Sequence, residues 1–86
     1  MRNPVVEGMP LSAGELAALR LAASGYTSKQ IATRLNTTEQ GIHLRLKSAA
    51  VKLGARSRTH AAVIAVHRRV IDFGELELNE PGRTAA

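Results

Sequence analysis

The chain of 86 residues contains no cysteine and no tryptophan, and only two residues, Tyr26 and Phe73, have phenyl-type rings. Without thiols it can form neither disulfides nor thiolate metal sites. The three histidines, His43, His60 and His67, lack the spacing of a zinc site, so we expect no metal and no other cofactor. With so few aromatic rings, the core must be built from alanine, leucine, valine and isoleucine.

Long apolar runs are absent as well. No segment is long enough to span a bilayer, and the N-terminal sequence MRNPVVEGMP has no hydrophobic signal-peptide region. We therefore expect a soluble cytoplasmic protein with no membrane partner and no small-molecule ligand. An enzyme is not expected either, because the acidic residues lie mainly near the C-terminus, the histidines are spread over two predicted helices, and no glycine-rich phosphate loop occurs.

Positive charge is concentrated in the first part of the chain. The formal net charge of +5 divides into +8 over residues 1–71 and −3 over residues 72–86. A small body with that excess favours polyanions, with nucleic acid ahead of an anionic membrane.

Composition also divides the chain into three parts. Residues 1–10 contain two prolines, a glycine and no helical period, which predicts a flexible N-terminal arm. Residues 11–71 form one domain. Residues 72–86 are acidic and contain a Pro-Gly pair, which predicts a flexible tail.

Four helix starts can be recognised from their capping residues. Ser12 with Glu15 and Thr27 with Gln30 have the spacing of capping boxes, and two more caps follow at Thr38 and Ser57. The predicted helices cover 13–24, 28 to about 35, 39–53, and a last segment from 58 to the Phe73-Gly74 pair. The sequence therefore predicts an all-α four-helix bundle.

The third predicted helix has one apolar face, because Ile42, Leu46, Ala49 and Leu53 stand at i, i+4, i+7 and i+11. About three residues around Asn36 join it to the second helix. Helices connected so tightly must cross steeply, which is the helix-turn-helix arrangement. The outer face of the third helix is then free to enter a major groove.

The stretch LSAGELAALRLAASGYTSKQIATRLNTTEQGIHLRLKSAAVKLGARSRTHAAVIAV resembles the LuxR/GerE-type DNA-binding domain. The matching positions are Leu11, Glu15, Leu19, Gly25, Thr27, Lys29, Gln30, Ile31, Ala32, Leu35, Ile42, Lys52, Leu53, Gly54 and Arg58. The match covers about residues 11–71, and every element keeps its spacing. The resemblance, which is to the stand-alone type, implies a recognition helix at 39–53 and a last helix that dimerises.

The resemblance and the charge pattern together give two sets of DNA-contacting residues. The resemblance implies that His43, Leu44 and Lys47 read bases. The full set expected to read bases is Gln40, His43, Leu44, Arg45 and Lys47. The full set expected to hold phosphates is Thr27, Ser28, Lys29, Arg34, Thr38, Lys52, Arg56 and Arg58.

Two residues of the third helix depart from the family pattern in an informative way. Gly41 replaces a threonine, which costs about 0.5–1 kcal/mol of helix stability. The glycine either allows the backbone to approach DNA closely or is a tolerated substitution without a functional role. Leu44 on the outer face either contacts a thymine methyl group or belongs to a partner surface.

The last helix carries a second candidate surface, made of Thr59, His60, Val63, Ile64 and His67. An exposed apolar patch on so small a domain is typical of an interface, and the resemblance favours a homodimer. Recognition helices would then lie about 34–36 Å apart on an inverted repeat. The alternative is that the two aliphatic members of this set complete the core.

These observations predict a sequence-specific regulator of transcription that binds double-stranded DNA in the nucleoid. Two alternatives remain open. The first is a protein-interaction module that binds RNA polymerase or another regulator. The second is an architectural or recombination accessory factor that bends DNA at several adjacent sites.

Overall fold

The computed structural model describes residues 6–78. It contains four α-helices, α1 (Ala13–Ala23), α2 (Ser28–Arg34), α3 (Glu39–Leu53) and α4 (Arg58–His67), followed by a 3₁₀ turn at Phe73–Glu75. No strand occurs among these described residues. The predicted all-α four-helix fold is therefore confirmed. No helix in this part of the chain has both the length and the apolar character needed to cross a membrane.

Each predicted capping residue begins a helix. The caps are Ser12, Thr27, Thr38 and Ser57, whose hydroxyls each accept the backbone N–H three residues further on. Both predicted capping boxes are complete, because the side chains of Glu15 and Gln30 accept the N–H of their cap residues in return, at 2.8 and 2.9 Å. These bonds satisfy backbone donors that a helix start otherwise leaves without a partner.

Left-handed residues form the turns on either side of α3. Asn36, between α2 and α3, has φ 53°, and Gly54, directly after α3, has φ 68°. Asparagine and glycine are the residues that adopt this conformation at least cost. The Thr37 N–H donates to the carbonyl of Ala32 at 2.9 Å and fixes the short connection. The predicted helix-turn-helix segment is therefore in place, with α3 at its predicted bounds.

The helix α3 lies at the centre of the fold and packs against each of the other three helices. All four residues of its predicted apolar face are buried: Ile42, Leu46, Ala49 and Leu53. Leu19 of α1 and Ile31 of α2 are fully buried against the same core. Because one face of α3 is enclosed in this way, only its opposite face remains for a partner.

The prediction that the Phe73-Gly74 pair closes the fourth helix is wrong, since α4 ends six residues earlier, at His67. Arg69 has φ 58°, and the chain reverses there. The N–H groups of Val70 and Ile71 then both donate to the carbonyl of Ala65. The reversal carries Ile71 into the core, where it is fully buried, and the gain from burying that side chain offsets the cost of a left-handed arginine.

The described parts of the arm and the tail both contact the helices. The Gly8 N–H donates to the carbonyl of Lys52 at 2.9 Å. In the tail, Leu76 packs against the core, and Glu75 Oε2 lies 3.7 Å from Arg20 Nη2. Residues 1–5 of the predicted arm and 79–86 of the predicted tail lie outside the described residues. The boundaries of the domain at 11 and 71 stay a prediction.

Candidate nucleic-acid interface

The outer face of α3 brings four of the expected base-reading residues together. Gln40, His43, Leu44 and Lys47 are all exposed. At about 100° per residue they span an arc of about 100° on the side opposite the buried face. We call these four residues the reading face. Amide, imidazole, aliphatic and ammonium groups on one helical surface supply the contacts that proteins make with base edges in the major groove.

An acidic residue that the sequence analysis did not single out lies beside the reading face. Glu39 Oε2 is 3.6 Å from His43 Nε2, and both side chains are more than half exposed. The contact becomes an ion pair when the imidazole is protonated. Glu39 lies in the first turn of α3, where the helix dipole stabilises a negative charge. The i, i+4 spacing of the two residues is the sequence signal that points to this contact.

Arg45, which was expected to read bases, lies apart from the reading face. It is turned about 140° away from Gln40 around α3. Its side chain is partly buried beside α1, with Nε 3.5 Å from the position that a Cβ on Gly14 would take. The glycine leaves room for the guanidinium to lie along α1, so Arg45 packs between α3 and α1.

Lys52, which was expected to hold a phosphate, forms an ion pair inside the fold. Its Nζ lies 2.6 Å from Glu15 Oε1, and the two side chains are only 9% and 11% exposed. Burial alone would raise the pKa of Glu15. The hydrogen bond from Lys52, the hydrogen bonds with Ser12 and the lysine charge outweigh burial and hold that pKa below its ordinary value. The pair joins the start of α1 to the end of α3.

Arg58 and Ser28, both expected to hold phosphates, form a second internal link. The Arg58 guanidinium donates through Nη1 to Ser28 Oγ at 2.8 Å and through Nη2 to the carbonyl of Tyr26. Ser28 is buried. The arginine therefore fixes the start of α4 against the start of α2.

The remaining expected phosphate contacts are at the surface. Lys29, Arg34 and Arg56 are exposed cations, and Thr27 and Thr38 are exposed at the starts of α2 and α3. The Arg34 guanidinium lies 4.2 Å from the centre of the Tyr26 ring, in a cation–π contact that holds it over α2.

A cleft of about 270 Å³ separates α3 from the start of α4. Its polar and charged lining residues are His43, Lys47, Arg56, Ser57 and Arg58, and no acidic residue lines it. The cleft therefore extends the positive surface from the reading face to the N-terminal end of α4, which itself favours anions.

The expected dimer residues divide into two groups on α4. Thr59, Val63 and His67 are exposed, with Val63 at 60%. His60 accepts the Arg56 N–H at its Nδ1 and is partly buried. Ile64 packs against the core. The first group faces outward, whereas His60 orders the connection before α4 and Ile64 completes the core.

Fold and site together define a class of protein: a helix-turn-helix domain in which the second helix of the motif, α3, has an exposed face with cationic side chains. Within residues 6–78 no group of three or more histidines and acidic residues is placed to hold a metal ion. Residues 9–65 match the family described as bacterial regulatory proteins, luxR family, and the chain belongs to that family. The resemblance found in the sequence is thereby confirmed. The family is one of DNA-binding regulatory domains and not of enzymes.

A curated relative extends this result. The transcriptional regulatory protein YdfI of Bacillus subtilis (strain 168) is 39% identical over 61 residues. The aligned segment covers 71% of this chain and 29% of the relative. The chain therefore spans less than a third of the length of that protein, and the similarity concerns one part of it.

Proposed function

We propose that this protein is a sequence-specific, double-stranded DNA-binding regulator of transcription whose helix α3 enters the major groove. One observation carries the proposal: Gln40, His43, Leu44 and Lys47 stand together and exposed, opposite the buried face of α3 in a luxR-family fold. Glutamine pairs with adenine, lysine with guanine, and an aliphatic side chain with the thymine methyl group. The name of the relative, a transcriptional regulatory protein, supports the regulatory role.

Phosphate contacts come from the exposed cations around that face. Lys29 and Arg34 lie on α2, and Arg56 lines the cleft between α3 and α4. Thr27 and Thr38 add hydroxyl groups at two helix starts. Such contacts position the protein on the duplex and carry no sequence information themselves.

Two protomers bind an inverted repeat, with the last helix as the contact between them. The exposed residues of α4, with Val63 foremost, support this arrangement. A two-fold dimer places its recognition helices one turn of DNA apart, about 34–36 Å.

A binding-site selection from random duplexes at fixed salt tests the proposal. Wild-type protein should enrich one motif, and His43→Ala and Lys47→Ala should each relax it at particular positions, by about 1–3 kcal/mol of discrimination. Leu78→Ala is the control, since it shortens an exposed side chain that lies outside both α3 and α4. If both α3 variants select the wild-type motif, the assignment of the reading face is wrong.

The exposed aliphatic residues of α3 favour a second candidate, a module that binds RNA polymerase or another regulator. Leu44 is 56% and Val51 41% exposed on the outer side of the helix. Such a module tolerates the loss of Lys29 and Arg56, whereas a DNA-binding protein does not. Comparing a Lys29→Ala/Arg56→Ala variant with wild type for duplex binding decides between the two. A DNA-bending accessory factor would instead occupy several adjacent sites on the selected duplexes.

A further inference from the structure

Glu39, the first residue of α3, carries a carboxylate that the fold itself hardly uses. The carboxylates of Glu15 and Glu75 each accept the N–H of a capping residue and lie beside a cation. Over the described part of the chain, Glu39 has no ion-pair partner other than His43. The 3.6 Å between them is longer than a hydrogen bond, and the Glu39 side chain is 54% exposed. Its oxygens therefore keep most of their capacity to accept hydrogen bonds from a partner outside the chain.

The carboxylate of Glu39 extends towards the reading face. At about 100° per residue, Glu39 lies about 40° beyond His43 around α3, at the edge of that face. The contact joins Glu39 Oε2 to His43 Nε2, which is the outer nitrogen of the ring. The carboxylate thus reaches the tip of a reading-face side chain. Residues near the N-terminus of a recognition helix are the ones that contact base edges in helix-turn-helix proteins.

The chemistry of a carboxylate selects one base in the major groove. An ionised carboxylate only accepts hydrogen bonds. Guanine presents the acceptors N7 and O6 there, and thymine presents O4, so both repel it. Adenine presents the donor N6 next to the acceptor N7, whereas cytosine presents the N4 amino group without an acceptor on the same base. Cytosine is therefore the base that Glu39 fits.

The surroundings of Glu39 offset the cost of a negative charge close to DNA phosphates. The start of α3 stabilises that charge through the helix dipole. His43 lies beside the carboxylate, and Lys47 and Arg56 line the cleft that continues from His43. These cationic groups attract the duplex, so one carboxylate at the edge of the reading face can select a base without preventing binding.

We propose that Glu39 is a further specificity-determining residue, whose carboxylate accepts the groove-side N4–H of a cytosine while His43 beside it offsets its charge. The proposal rests on the proposed function, because it requires α3 to lie in the major groove. It adds a residue that selects its base by accepting a hydrogen bond, whereas Lys47 can only donate.

A binding-site selection at fixed salt with Glu39→Gln is the first test. Glutamine keeps the size of the side chain but offers a donor and an acceptor, which match N7 and N6 of adenine. One position of the selected motif should therefore change from cytosine to adenine. Glu77→Gln is the matched control, because it removes the same charge from an exposed side chain outside the four α-helices. It should leave the motif unchanged.

A modified base tests the hydrogen bond directly. In N4-methylcytosine a methyl group replaces the groove-side N4–H, and the pair with guanine is kept. At the position that Glu39 reads, this base should weaken wild-type binding about tenfold or more, as for a hydrogen bond to a charged group, and binding of Glu39→Ala less than about twofold. Circular dichroism checks that each variant is folded at the temperature of the titration.

These measurements separate the inference from the proposed function. If Glu39→Gln selects the wild-type motif, Glu39 only stabilises the start of α3, and the inference is overturned while the proposed function stands. The same holds if the methylated base weakens wild type and Glu39→Ala equally. A wild-type chain that enriches no motif would overturn the proposed function and the inference together.

Discussion

Replacing Lys52 by methionine tests whether the Glu15–Lys52 ion pair stabilises the fold. Methionine keeps most of the volume and removes the charge, so the Glu15 carboxylate is left in a nearly closed site. At 2.6 Å the two charges attract each other by about 6 kcal/mol at an effective dielectric constant of 20. The desolvation of both groups offsets most of this attraction while the pair is intact. Once one partner is missing, the desolvation of the other remains uncompensated.

The expected loss for Lys52→Met is about 3 kcal/mol in the free energy of unfolding, the lower end of the range for breaking a buried pair. The lower end applies because about a tenth of each side chain is still exposed and the Ser12 N–H still donates to Glu15. Glu15→Gln/Lys52→Met should recover much of that loss, since glutamine can still complete the capping box. If the stability of this small domain lies near the lower end of the usual range, about 5 kcal/mol, the single substitution would leave about 2 kcal/mol and unfold a few per cent of the chains.

Guanidinium unfolding followed by circular dichroism gives these free energies, and pH provides an independent check. Because the folded-state pKa of Glu15 lies below its ordinary 4.5, the stability that this carboxylate contributes is complete above pH 4.5. It is lost as pH falls through the folded-state pKa. Glu15→Gln should therefore show a shallower loss of stability below pH 4.5. A Lys52→Met loss under about 1 kcal/mol, together with an unchanged acid limb in Glu15→Gln, would refute the reasoning.

Three further substitutions probe the recognition segment. Gly41→Ala should leave the midpoint temperature of unfolding unchanged or lower it. The added Cβ would lie 3.1 and 3.2 Å from the hydroxyls of Thr37 and Thr38, and this crowding offsets the gain of about 1 kcal/mol in helix propensity. A clear rise in the midpoint temperature would contradict this. If Leu44 contacts a thymine methyl group, replacing that thymine by uracil should weaken wild-type binding about fourfold, or about 0.8 kcal/mol. Leu44→Ala should bind the thymine and uracil duplexes equally well. If wild-type protein also binds both duplexes equally well at every thymine position, Leu44 belongs to another surface. Arg58→Lys keeps the charge but cannot donate to both Ser28 and the carbonyl of Tyr26. Denaturant unfolding should therefore show a loss of about 1–3 kcal/mol in the free energy of unfolding. An unfolding midpoint equal to that of wild type would contradict the internal link.

Local signals predicted most of the fold. Ser12 and Thr27 cap helices through hydrogen bonds three residues apart, and a single sequence displays that spacing. Asn36 supplied the left-handed turn before α3. The end of α4 was missed because Arg69 takes the same conformation without any local preference for it. Its reversal is stabilised by burying Ile71 against the other helices, and that burial depends on the whole fold.

The candidate site was predictable to the extent that helical periodicity governs it. The spacing along α3 placed Gln40 and Lys47 on the outer face, and both are exposed. Periodicity cannot show which cation has an internal partner, because that partner is distant in sequence. Glu15 lies 37 positions from Lys52, and Ser28 lies 30 positions from Arg58. From the sequence, Lys52 and Arg58 are therefore indistinguishable from cations that contact DNA. In the structure, both hold helices together inside the fold.

That division of cations fixes how steeply DNA binding should depend on salt. The sequence offered five cations for phosphates: Lys29, Arg34, Lys52, Arg56 and Arg58. The structure engages two of them internally, so three are left per chain. Each neutralised phosphate contributes about −0.9 to the slope of log K against log salt, which gives about −2.7 on a single half-site in place of about −4.5 for all five.

Fluorescence titration of the half-site at several salt concentrations measures this slope. Arg56→Ala should reduce its magnitude by about 1, because this exposed arginine is counted among the three. Lys52→Met, compared at equal folded fraction, should leave it unchanged, since its ammonium group already faces Glu15. A wild-type slope of about −3.6 that Lys52→Met returns to about −2.7 would mean that the ion pair opens when DNA binds, and the internal role assigned to Lys52 would then be wrong.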